Sequence, residues 1–178
     1  ILLTRGIASH LFGRWAEVVR YCDEAVSRFR QGCTGTTWEI DTANTFASWA
    51  LTYRGSIQEI RRRRQDIISD ATVRQDSYAM ANALIDRYVH LADDDTKSAM
   101  EAVSTAISAW SKGGFHVQHH NALLAQSLVM LYARDGEKAF RSLHEAWPKY
   151  RSSRIFNTQQ VYIDYLQWRA RSALACFL

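Results

Sequence analysis

Proline occurs once in 178 residues and glycine eight times, against a usual proline share of about 5%. Tight turns, hairpins and edge strands draw heavily on both residues, so their scarcity argues against an all-β domain and against a disordered linker. Cysteine occurs as Cys22, Cys33 and Cys176, an odd set without C-x-x-C spacing. That argues against a disulfide framework and favours a reducing compartment, the cytoplasm. No apolar run approaches the ~18 residues of a membrane-spanning helix. Ile1-Leu2-Leu3 is followed at once by Thr4 and Arg5, so no secretory leader is expected. G-x-S-x-G, G-x-G and G-K-[ST] are missing, so no catalytic activity and no cofactor are expected for this region.

What is present is an ordinary core-forming composition, 47% hydrophobic and 22% charged, with a net charge of +4. Split at residue 89, the halves carry 12 basic against 10 acidic and 10 basic against 8 acidic residues, so each is +2 and neither is a charged tail. The chain opens without an initiator methionine inside an apolar pattern, and is expected to be a single domain, residues 1–178, cut from a longer protein.

The apolar spacing is helical throughout. Met100, Val103, Ile107 and Trp110 recur at steps of 3, 4 and 3, and forty residues later Phe140, Leu143, Trp147 and Tyr150 repeat them. Leu84, Tyr88 and Leu91 are echoed by Leu124, Leu128 and Leu131, and Ala99 and Ala106 by Ala139 and Ala146. Upstream, Leu51 and Ile60 precede Leu91 and Met100 by forty, and Val18 precedes Ile60 by 42. A fixed period of this size predicts stacked helix pairs. The predicted helices are 1–11, 14–31, 37–54, 56–73, 77–91, 96–112, 117–134, 137–150 and 154–176, which is four pairs and a closing helix. Gly13, Gly55, Asp94-Asp95 and Asp135-Gly136 punctuate the pairs internally. Gly32 to Gly35, Gln75 to Ser77 and Gly113-Gly114 separate them, and Pro148 sits near the end of a helix.

Gly13-Arg-Trp-Ala-Glu-Val-Val-Arg-Tyr-Cys-Asp-Glu-Ala25 and Asp135-Gly-Glu-Lys-Ala139-Phe-Arg-Ser-Leu143-His-Glu-Ala146 resemble the second-helix signature of the tetratricopeptide-repeat family, although the period departs from that family's usual ~34 residues. The resemblance implies an all-α, right-handed helix-turn-helix superhelix whose first-of-pair helices line a concave binding surface. Narrower stretches, Ala109-Trp110-Ser-Lys-Gly-Gly-Phe115-His116-Val-Gln-His119-His120, Trp38 to Ala43 and Arg169 to Ala175, look similar to C-terminal helical regions of large bacterial serine/threonine protein kinases. That likeness implies the non-catalytic sensor or scaffold part of such a kinase.

The expected function is protein or peptide binding. The polar or amphipathic positions on first-of-pair helices, Asn44, Ser48, Tyr78, Asn82, Asn121 and Gln126, are the expected ligand contacts, since amides suit capture of an extended backbone. Arg61, Arg62 and Arg64 are the outward members of a four-arginine run and candidate contacts for an acidic partner. Arg63 or Arg64 is expected to turn inward and pair with Asp41, Glu39 or Asp86. Nucleic acid is a lower-ranked partner for this run, because no aromatic platform adjoins it in sequence. A membrane is not an expected partner.

His116, His119 and His120 have spacings that could bind a metal, but no carboxylate accompanies them. A polar helix start, with one ring packed on Trp110 or Phe115, is the preferred reading. Asp93-Asp94-Asp95 lacks the ligand pattern of a calcium loop and reads as a helix cap at Asp95. The six tryptophans read mainly as packing between repeats. Self-association through the open ends of the array is the rival function.

Overall fold

The computed structural model describes residues 1–86, 88–110 and 113–177. The chain is all-α, and among the described residues there is no strand. In order, the helices are α1 (Leu2–Leu11), α2 (Trp15–Gly32), α3 (Thr37–Tyr53), α4 (Ile57–Arg74), α5 (Ser77–Leu84), α6 (Tyr88–Ala92), α7 (Thr96–Ser108), α8 (Val117–Tyr132), α9 (Gly136–Ser152) and α10 (Gln159–Ala175). A 3₁₀ turn, Arg154–Asn157, precedes α10. Internal contacts gather into two compact units, Ile1–Ala79 and Met80–Leu178.

In the first unit α3 packs against α1, α2 and α4. Its buried positions are mostly small, with Ala43, Ala47 and Ala50 meeting Val18 and Cys22 of α2. Alanine brings neighbouring helices close, and Gly6 extends the effect on α1: a Cβ there would lie 2.7 Å from the Cys22 sulfur. Gly6 and Gly32 thus lie within helices, while Gly13, Gly35, Gly55 and Gly114 sit at connections with positive φ.

In the second unit α8 is buried almost all round and packs against α7, α9 and α10. Leu124, Leu143, Tyr150, Val161, Tyr165 and Trp168 form the main core, and Tyr165 Oη donates to the Leu143 carbonyl at 3.1 Å. Ala81 of α5 and Ile85 just after it join Val103, Ala106, Ala122 and Ala125 in a second cluster. Asp95 and Asp135 cap α7 and α9 by accepting the N–H groups of Ser98 and Lys138, at 2.9 and 3.1 Å.

The turn after each first-of-pair helix uses one left-handed residue: Gly13 and Gly55, then Asp94 (φ 58) and Arg134 (φ 61). The predicted continuous helix 77–91 is broken, because Asp86 takes the Tyr88 N–H at 3.0 Å and offers the backbone a local alternative to the helical ladder. Forty residues on, the equivalent position is Gln126, a good helix former, and α8 is unbroken. Arg87, inside the predicted 77–91 helix, and Ser111-Lys112, inside the predicted 96–112 helix and the kinase-like stretch, lie outside the described residues; α7 ends at Ser108. Pro148 is tolerated inside α9, which continues to Ser152. The proline is exposed, so water can take the carbonyl bond its ring forgoes.

Candidate functional site

The polar side chains of the first unit are mostly committed to one another. Arg63 is the inward arginine, its side chain 17% exposed, and it grips Asp23 of α2 with two bonds of 2.6 and 2.8 Å and Glu59 with one of 2.7 Å. Its partner is therefore Asp23 rather than the predicted Asp41, Glu39 or Asp86. Asp41 and Glu39 lie on α3 and Asp86 beyond α5, whereas α4 turns this face toward α2. Arg62 is bridged by Glu59 and Asp66 on its own helix. Arg61 and Arg64 are half-buried.

Asp41 instead meets Arg74 at 3.1 Å, and the same guanidinium also holds Asp70 and Asp76. Three carboxylates around one guanidinium cannot all be neutralised. Burial pushes the Asp41 carboxyl up to about 6; the bond from Arg74 opposes the rise and the neighbouring Asp76 adds to it. Burial also works to raise Asp76, but the Ala79 N–H and the side chains of Asp41 and Arg74 outweigh it, leaving that carboxyl below its usual range. Asp76 Oδ1 in turn accepts the N–H groups of Tyr78 and Ala79, both at 3.0 Å, and so starts α5.

The histidine cluster is structural in its contacts. Trp110 Nε1 donates to His116 Nδ1 at 3.1 Å, and the His116 backbone N–H donates to His119 Nδ1 at 3.1 Å. His120, 2% exposed, joins its Nδ1 to the buried Tyr150 hydroxyl at 2.6 Å. Each Nδ1 is engaged with a different partner, and among the described residues no group of three His, Cys, Asp or Glu side chains is placed to hold a metal ion.

A furrow of about 250 Å³ lies over α8 between α7 and α9. Ile107, Phe115, Ala122, Leu123 and Ala146 give it an apolar floor, and His119, Gln126, Ser142, Glu145 and Lys149 line its polar side. On α8 the lining residues His119, Ala122, Leu123 and Gln126 share one face by their helical spacing. His119 stacks on Phe115. Burial, then the charges of His116 and Lys149, lower its tendency to protonate. With Nδ1 accepting from the backbone, the neutral ring carries its proton on Nε2. Glu145 and Lys149 are spaced to pair along α9, yet among the described residues no ion pair joins them. The furrow can thus take an apolar side chain on its floor and offer both a donor-rich and an acidic rim to the backbone or charges around it.

Of the six expected ligand contacts, Asn44, Ser48 and Tyr78 belong to the first unit and Asn82, Asn121 and Gln126 to the second; all six are half-buried. Only Gln126 lines the furrow. Asn121 is turned about 140° around α8 from Gln126 at 3.6 residues per turn. The Asn82 amide nitrogen is buried without a hydrogen-bond partner. Sequence reasoning missed Glu145, Lys149 and Ser142, because it looked only at first-of-pair helices while α9 is the second of its pair. The available signal was the i, i+4 spacing of Glu145 and Lys149 beside Ser142 on one stretch of α9.

Comparison of the chain with protein-family models, with curated proteins and with solved structures gives no match. No helix of the described residues is long and apolar enough to cross a membrane.

Proposed function

We propose that this chain is a non-catalytic, tetratricopeptide-like helical-repeat module that binds protein or peptide. The observation that carries this reading is the furrow over α8, with its apolar floor and the oppositely charged Glu145 and Lys149 at its edge. The repeat assignment is supported by the left-handed residue recurring at positions 13, 55, 94 and 134. It is also supported by the contacts of α1 with α3 and of α8 with α10, since each helix of a stacked array meets the next-but-one. A cytoplasmic regulatory or interaction segment of a bacterial signalling kinase is the setting that the Trp110 to His120 stretch suggests.

Selection from a random peptide library against the purified chain tests the binding role. Recovered peptides should converge on an apolar residue flanked by charge, and Glu145→Lys and Lys149→Glu should each weaken binding at least tenfold. Failure to converge, or convergence on peptides indifferent to both reversals, overturns the assignment to the furrow. Self-association is a second reading, favoured by the outer face of α10.

A further inference from the structure

The closing helix α10 is apolar on two sides. Its inner face, Val161, Tyr165 and Trp168, is buried against the second unit. On its outer side Tyr162, Ile163, Leu166 and Leu174 are 44, 51, 42 and 67% exposed, and Phe177 just beyond the helix is 89% exposed. These five side chains leave on the order of 600 Å² of apolar surface in water, close to the ~800 Å² per partner of a standard protein interface.

The charges of α10 do not interrupt this surface. The helix carries only Asp164, Arg169 and Arg171. Asp164 reaches toward His120 at 3.9 Å, Arg169 lies over the Phe140 ring and Arg171 over the Trp168 ring. Asp164 and Arg169 are thereby drawn toward the unit's own body, and the exposed Arg171 lies along its own helix on the side of Trp168. A strip depleted of charge and rich in large apolar side chains is the composition of an interface centre.

The spacing along the strip is self-complementary. Two copies of α10 laid antiparallel about a two-fold axis level with residue 168 place Leu166 opposite Ala170 of the other copy, and Tyr162 opposite Leu174. Large side chains then meet small or aliphatic ones, and alanine at the crossing lets the helices approach. We infer that the outer face of α10 is a homodimer interface, occupied by the α10 of a second copy of this chain. This interface is distinct from the peptide furrow and stands without it.

Sedimentation equilibrium on the full chain across ~1–100 μM tests the inference. The 20.4 kDa chain should approach twice that mass. Leu166→Lys should return it to monomer with helical circular dichroism unchanged. The double variant Leu166→Lys with Ala170→Glu should regain the dimer, because each lysine then faces the glutamate of the other copy. Leu11→Glu on α1 should leave the dimer intact. A wild-type chain that stays monomeric at all concentrations overturns the inference. So does a dimer that survives Leu166→Lys, a double variant that stays monomeric, or growth beyond the dimer, which would mean end-to-end stacking rather than a closed pair.

Discussion

Helices α4 and α9 are each the second member of a packed pair of neighbouring helices, α3 with α4 and α8 with α9, yet they are fastened by different chemistry. Along α4 only Ile60 and Ala71 are buried, and the helix is tied down by Arg63 on Asp23 and Arg74 on Asp41. Along α9, Ala139, Leu143 and Tyr150 are fully buried, and Tyr150 and Trp147 sit among Phe115, Phe156 and Tyr165. A like position in a helix pair thus does not decide what holds the helix in place. One unit carries a pH- and salt-sensitive fastening and the other an apolar one.

The largest test of that contrast is Leu143→Ala. A fully buried leucine lost from the α9 core should cost about 2–5 kcal/mol, read from the urea midpoint, with little dependence on pH or salt. Next is the pH response of α4. Because folding raises the affinity of Asp41 for a proton, the folded state gains stability as pH falls from above 6 toward 4 and loses it as pH rises through about 6. Burial of the Asp41 carboxyl drives that loss, with the neighbouring Asp76 adding to it and the bond from Arg74 opposing it. Asp41→Asn should flatten the profile between pH 4.5 and 7 by about 2 kcal/mol at ~1.4 kcal/mol per tenfold change in proton affinity. An unchanged profile would place the sensitivity elsewhere.

Smaller still, Arg63→Met keeps the packed stem and removes the charge. Asp23 and Glu59 are both partly exposed and can turn to water, so about 1 kcal/mol should be lost, together with part of the protein's sensitivity to 1 M NaCl. Arg62→Ala, on the exposed flank of the same run, should leave the urea midpoint where it was.

The helical periods and their forty-residue echo were legible because burial repeats every 3.6 residues regardless of neighbours. Most predicted boundaries fall within two residues of the observed ones, and Asp95 caps α7 as its position suggested. The break at Asp86 was not legible, since an aspartate in a helical pattern can cap or merely face solvent, and only the backbone geometry decides. Nor was the partner of Arg63. Pairing across helices depends on how one helix is rotated against another, which spacing along a single helix does not encode. The furrow was half legible: the polarity of Gln126 on a first-of-pair helix points to it, while Glu145 and Lys149 lie on the second helix of their pair, where a charge is ordinarily just solvated.

Cys22, fully buried beneath Gly6 with its thiol pushed up to about 12, gives the first unit a built-in reporter. Thiolate, not thiol, reacts with alkylating agents, so the exposed Cys33 and Cys176 should label first and Cys22 only when α1 lifts from α2. The slow phase of labelling would then clock the opening of that helix pair without any engineered probe.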